Sequence, residues 1–191
     1  GRYRKNGPLA CSAMKRSASV IIRAGAYVSP IQLSIVTAPS GCFACPGIGG
    51  VVVTAPAGSE DMAHAIVEPL GAHAVVTGGP TRHTSVHAAL AAIPAEADVI
   101  VCHDAARALA SQELFAAVID GLERRVGVVP VVPVPDTVKR VRDGAVVGTE
   151  PRGDLALAQT PQAFRATALR DAHVRAALVG HRRDGDEQVL D

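Results

Sequence analysis

The chain has 191 residues, enough for one ordinary domain with a sizeable core. Hydrophobic residues make up 48% and charged residues 19%, a balance that excludes a mainly disordered chain. Aromatics are limited to Phe43, Phe115, Phe164, Tyr3 and Tyr27, too few to stack single-stranded bases, and a formal charge of +1 exerts no overall pull on nucleic acid or anionic membrane. No apolar run approaches the roughly 18–20 residues that span a bilayer. The apolar stretch near the start is broken by Arg23 and lacks the form of a secretory signal.

Along the chain, the first feature is a step in composition. Residues 1–50 carry Arg2, Arg4, Lys5, Lys15, Arg16 and Arg23 with no acid, a balance of +6. Residues 51–191 hold 13 basic and 18 acidic residues, a balance of −5. The first segment also has three of the four cysteines and three of the 26 valines. So abrupt a step predicts a boundary near residue 50, with an irregular segment before it and a folded α/β domain over 51–191. The chain begins with Gly1, as a fragment or trimmed form would. Cys42-Phe-Ala-Cys45 has knuckle spacing, but no second Cys or His pair completes a zinc site. With so few cysteines in an α/β chain, a reducing cytoplasm is the expected compartment.

From residue 51 the pattern is regular. Val51–Val53 is a β-branched run, and Ser59 stands at an N-cap position with Glu60 and Asp61 opposing the helix dipole. That helix should run to about Leu70 and stop at Gly71. His73–Val76 reads as a strand closed by Gly78-Gly79-Pro80, followed by a helix over about Arg82–Ala92. Asp98–Cys102 is a third strand, and Ser111 caps a helix over Gln112–Arg125. Val126–Val134 is the most β-branched run, and a last helix covers about Arg165–Leu178. Nearly all-apolar strands alternating with helices indicate a parallel sheet covered on both faces. Val138–Val141 and Ala145–Val147 flank Arg142-Asp143-Gly144, a hairpin signal, and such an arm is suited to meeting a partner.

Ligands of a doubly wound sheet bind beyond the carboxyl ends of its strands, and that rule selects three places. Gly78-Gly79-Pro80-Thr81-Arg82 lets backbone amides approach a ligand, with Ser85 in reach of the same space; the same residues also suit a plain tight turn. Cys102-His-Asp-Ala-Ala-Arg107 sets a carboxylate and a guanidinium three residues apart, suited to a divalent cation and a phosphate, or equally to a local Asp104–Arg107 ion pair. Thr137 opens the hairpin, and Arg152 with Gln159-Thr160-Pro161-Gln162 closes the return from it; a hydroxyl and an Arg there can hold phosphate. His83 and His87 lie one helical turn apart and read as a solvated helix face rather than a metal site.

Four stretches together resemble the 2-C-methyl-D-erythritol 4-phosphate cytidylyltransferase family: Gly78-Gly-Pro-Thr-Arg-His-Thr-Ser-Val86, Val101-Cys-His-Asp-Ala-Ala-Arg107, Pro133-Val-Pro-Asp-Thr-Val-Lys-Arg140 and Gln159-Thr-Pro-Gln-Ala-Phe164. They stand in family order over about residues 51–178. The resemblance implies a Rossmann-like nucleotidyltransferase fold, incomplete at both ends, and a homodimer formed through the 136–150 arm. It also implies attack by a sugar-alcohol phosphate on the α-phosphate of CTP, with Mg²⁺ and loss of pyrophosphate. Carried over by motif, Gly79 and Ser85 contact the cytidine moiety. Asp104 lies at the metal and the substrate, while Arg107 and Thr160 hold substrate. Thr137 and Arg152 reach the substrate phosphate from the partner subunit. A ribitol 5-phosphate-type enzyme, sharing Gln-Thr-Pro-Gln, and a non-catalytic remnant are the alternatives.

The sequence departs from the family at both ends. Ile35-Val-Thr-Ala-Pro-Ser-Gly41 is only faintly similar to the start of the family's Gly-rich triphosphate loop, and no Lys or Arg follows it before Val51. Gly185-Asp186-Glu187 resembles the remnant of a late acidic stretch, and the lysine expected after it is absent before Asp191. Slow turnover is the expectation, because each lost transition-state donor costs on the order of 10²–10³ in rate.

Overall fold

The computed structural model describes residues 18–23, 45–107 and 109–179. In chain order these form strands β1 (Ala18–Arg23) and β2 (Ile48–Ala55), helix α1 (Glu60–Val67), β3 (Ala74–Thr77), α2 (Arg82–Leu90), β4 (Val99–Asp104) and α3 (Gln112–Asp120). Then come β5 (Gly127–Val128), β6 (Val131–Pro133), β7 (Lys139–Arg142), β8 (Ala145–Thr149), β9 (Ala156–Ala158), β10 (Gln162–Arg165) and α4 (Ala166–Val179). The main sheet has the order β3-β2-β1-β4-β10-β5. Its first four strands are parallel, and β10 runs antiparallel to both neighbours.

Why the central strands read as unbroken apolar runs is visible in their packing. Val20, Val51, Val53, Val99 and Val101 face a core completed by Phe115, Val118 and Leu122. Their sequence neighbours Ile21, Val52 and Ile100 face the opposite core, with Val86, Ala89 and Leu90 of α2. Successive side chains of a strand point to opposite faces, so a sheet buried on both sides needs both sets apolar.

Ala18–Arg23 corrects the expectation of an irregular segment at this point. It is a central strand, its Val20 and Ile21 at most 1% exposed, between β2 and β4. The cause is local: Val20-Ile21-Ile22 is as β-branched as its neighbours, and a charge balance averaged over fifty residues does not register six of them. Ile35–Gly41, Cys11, Cys42 and Gly185–Glu187 lie outside the described residues.

Two other elements differ from their expected form. The Val126–Val134 run is split between two sheets, β5 pairing with β10 and β6 with β9. Pro130 falls between them and has no N–H for a ladder, so the chain changes sheets there. The last helix falls where it is expected, at Ala166–Val179, but the residues before it, Gln162–Arg165, form a strand, β10, that the sequence reading does not assign. Four residues are too short to display a period.

The arm forms as expected. Asp143 and Gly144 have φ of 49° and 75°, the left-handed pair that a two-residue hairpin requires. The Arg140 Nε–H donates to Glu150 across it at 2.6 Å. Helix α1 is prolonged by a 3₁₀ turn over Glu68–Leu70 and stops at Gly71, whose φ is 83°. Thr77 donates its hydroxyl to Glu60 at 2.6 Å, which holds that carboxyl below its ordinary range.

His87 keeps the solvated position its spacing predicts, but His83 on the same face is half-buried. The His173 ring of α4 stacks on His83 with centroids 4.4 Å apart and lies 5.9 Å from His87. Arg170, one turn earlier, donates to the carbonyls of Leu90, Ile93 and Pro94 at 3.0–3.2 Å, tying α4 to the end of α2. His173 is 8% exposed. Burial first, then the two neighbouring imidazoles, push its pKa down to about 4. Spacing along one helix could not show a third histidine arriving from another.

Candidate active site

The strand order 3-2-1-4 reverses direction between β1 and β4, the place where open α/β sheets bind ligands. Asp104 is the last residue of β4 and lies in register with Arg23, the last of β1. Upstream residues of β4 are buried, whereas the Asp104 side chain keeps 30% of its surface. Each of its oxygens faces a different guanidinium. Arg82 Nε is 3.6 Å from Oδ1, and Arg107 Nε is 3.9 Å from Oδ2. The expected Asp104–Arg107 pair is therefore present, in a wider arrangement than either single reading of the motif.

The return loop before β10 holds this group from behind. The Asp104 amide donates to Thr160 Oγ1 at 3.2 Å, and that hydroxyl lies 3.1 Å from His103 Nδ1. Thr160 and His103 are both buried. Burial pushes the His103 pKa down to about 4, so near neutrality the ring is uncharged and its Nδ1 can accept the Thr160 proton. Gln159 Oε1 accepts from Arg107 Nη1, and Gln162 Oε1 accepts from Arg82 Nη2 at 3.3 Å. The Gln162 amide in turn donates to the Gln159 carbonyl at 3.1 Å. The peptide bond between Thr160 and Pro161 is cis. One four-residue loop thus engages both arginines and the backbone of the aspartate between them. The adjacent Cys102 thiol, pushed up to about 12 by burial, stays protonated and offers no nucleophile.

The glycine turn after β3 is built tightly. Thr81 caps α2: its hydroxyl accepts from the Thr84 amide at 3.1 Å, and Thr84 Oγ1 accepts from the Thr81 amide at 3.0 Å. Ser85 donates back to Gly79 and Thr81 carbonyls, at 3.1 and 2.9 Å. A Cβ on Gly79 would overlap the Thr84 hydroxyl and Cβ and come within 3.1 Å of the Thr84 carbonyl carbon. Gly79→Ala is therefore expected to break the capping box, costing about 1–3 kcal/mol as other overpacked sites do. Thermal unfolding of the variant checks this; an unchanged midpoint would show that the turn has room.

Thr137 and Arg152 are not part of this group of contacts. Thr137 is exposed at the base of the arm, and Arg152 Nη1 donates to the Pro135 carbonyl at 2.7 Å. Arg82, Gln159 and Gln162 were not individually singled out by the sequence. A signal existed for Arg82, since a cation in the first turn of a helix opposes the dipole. Among the described residues no group of three His, Cys, Asp or Glu side chains converges as a metal site. Nor is any described helix long and apolar enough to cross a membrane.

Known proteins share sequence and fold with this chain. The chain is 47% identical over 134 residues to the bifunctional enzyme IspD/IspF of Clavibacter michiganensis subsp. michiganensis, a match covering 66% of this chain and 33% of that protein. It is 47% identical over 116 residues to the protein of the same name from Nitrobacter hamburgensis, covering 60% and 28%. The chain thus spans a third or less of these relatives. A 4-diphosphocytidyl-2C-methyl-D-erythritol synthase from Anaerococcus prevotii has the same fold, with a TM-score of 0.78 at 24% identity over 92% of this chain and 82% of that one. The 2-C-methyl-D-erythritol 4-phosphate cytidylyltransferase of Thermus thermophilus superposes with a TM-score of 0.66 at 30% identity, covering 88% and 80%. The sequence model of that same family matches residues 34–191, a span that includes the glycine turn, Asp104 with its two arginines, and the Gln159–Gln162 loop: the chain belongs to the 2-C-methyl-D-erythritol 4-phosphate cytidylyltransferase family.

Proposed function

We propose that this chain joins CTP to 2-C-methyl-D-erythritol 4-phosphate. A phosphate oxygen of the sugar alcohol forms a new bond to the α-phosphorus of CTP. The bond from that phosphorus to the bridging oxygen breaks, and pyrophosphate leaves. The supporting observation is Asp104 between Arg82 and Arg107 at the carboxyl end of β4. Transfer at phosphorus asks for positioning and charge neutralisation more than for a protein nucleophile.

In this reading Arg107 holds the sugar phosphate, Thr160 joins it there by turning its hydroxyl proton from His103 to the substrate, and Gly79 and Ser85 bound the cytidine space. Asp104 would hold Mg²⁺. One partly exposed carboxylate completed by nucleotide phosphates is an ordinary Mg²⁺ donor set, so the residues fit that ion. When bound, the ion supplies charge neutralisation on the phosphates. Thr137 and Arg152 act across a homodimer formed through the 136–150 arm, whose Val141, Val146 and Val147 are all more than half exposed.

Turnover is set low in this proposal, because no Lys or Arg lies between Arg23 and Arg82 to meet the triphosphate. Pyrophosphate release from CTP·Mg²⁺ with methylerythritol phosphate, and separately with ribitol 5-phosphate, tests it. Release with the first alone supports the reading, and release with the second alone overturns the assigned substrate. Release with neither, together with no calorimetric binding of either reactant, overturns the activity.

A further inference from the structure

We propose that Arg82 is a positioning residue for this reaction, orienting the Asp104 carboxylate and the Gln162 side chain. The inference rests on the function proposed above and adds a residue to it. Arg82 is the first residue of α2, where the exposed backbone amides disfavour a cation. Helices α1 and α3 place Glu60, Asp61 and Glu113 in the equivalent turn, whereas the first turn of α2 has no acid. Helix stability therefore does not account for this arginine. What its guanidinium reaches does.

The backbone from which it projects is fixed by the Thr81–Thr84 capping box and by the packing of Gly79 on Thr84. From that base the side chain crosses to the carboxyl end of β4 and to the first residue of β10. There it faces Asp104 Oδ1 at 3.6 Å and donates to Gln162 at 3.3 Å. Both partners of the ion pair are substantially solvated, so the pair contributes little to folding. Its effect is geometric. With Arg107 on Oδ2, the carboxylate is restrained from both sides and cannot turn freely about its last bond. Gln162 and Gln159 do for the two arginines what the arginines do for Asp104. In the sequence Arg82 is also the first Lys or Arg after Arg23, which makes it the sole such charge contributed by residues 24–98.

A group that orients another acts on the rate of the bound complex more than on its formation. Arg82→Met keeps the aliphatic stem and removes the charge; Arg82→Lys keeps the charge and removes the planar fork. In the full chain Arg82→Met is expected to lower kcat by roughly 10–100-fold while KM for the sugar phosphate moves less than about threefold. Arg82→Lys should recover part of the loss. Independently of turnover, the Nε–H signal of Arg82 in ¹⁵N NMR should be ordered in the wild-type chain and mobile in Asp104→Asn. An unaltered kcat in Arg82→Met beside an active wild type overturns this inference alone. So does an Nε–H signal as mobile as those of surface arginines. A wild-type chain that neither turns over nor binds either reactant overturns both this inference and the proposed function.

Discussion

Replacing Phe115 with alanine is expected to bring the chain to the edge of unfolding. Phe115 is 1% exposed and, among the described residues, is the largest of the fully buried side chains. It projects from α3 into the core beneath β1, β2 and β4. Truncating a buried phenylalanine costs about 3–5 kcal/mol, lost transfer free energy plus the cavity left behind, against a typical total of about 5–15 kcal/mol. The effect extends to the site. The Phe115 ring meets His103 edge-on at 5.1 Å, and His103 is the partner of Thr160. Urea denaturation of Phe115→Ala should show a large fall in midpoint, with Phe115→Leu intermediate. A loss under about 1 kcal/mol would mean that this core closes around the gap more completely than close-packed interiors do.

What the sequence revealed of this fold follows from the range of the forces involved. Helix starts are local, so Ser111, whose hydroxyl accepts from the Leu114 amide at 3.3 Å, and the turn at Asp143-Gly144 are legible from a few residues. Ser59 shows the limit of such reading: it stands at the N-cap of α1, yet its side chain makes no capping hydrogen bond. Alternation of strand and helix was legible because both faces of the sheet are covered. The insertion of β10 between β4 and β5, and the placement of β1 at the sheet's centre, are long-range pairings that no local pattern encodes.

The site divides in the same way. Asp104 and Arg107 are three residues apart and could be read as a pair. Arg82 reaches that carboxylate from the start of helix α2, and Gln162 reaches Arg82 from 80 residues further on. The three stretches containing these four residues were legible as a resemblance, but their mutual geometry was not. Folding turns three weak sequence signals into one constellation because the mouths of parallel strands lie at one end of the sheet.

Acid is expected to weaken this fold well before its carboxylates are protonated, and two histidines are responsible. His103 and His173 are both buried, and burial holds the pKa of each near 4 in the folded state, against 6.5 when free. The sign follows from proton binding: between those values the unfolded chain takes up protons that the folded chain refuses. Stability is therefore complete above about pH 6.5, falls as pH drops towards 4, and changes little further through these two groups below that. At about 1.36 kcal/mol per unit, the two together remove roughly 4 kcal/mol by pH 5. That is a large part of an ordinary folding free energy. Glu60 and Glu113 act with the opposite placement in pH. Their folded-state values are lowered from 4.5, by the Thr77 hydroxyl and by Ser111 respectively, so their contribution is lost only further into acid. The window from pH 6.5 to 5 thus belongs to the histidines. His173→Phe keeps an aromatic ring against His83 and removes one of the two protons. It should lower the slope of stability against pH by about one proton's worth and move acid unfolding to lower pH. Urea unfolding followed at pH 7, 6 and 5 reads both slopes directly, and wild-type stability that stays flat across that range would show that neither ring is held neutral by its surroundings.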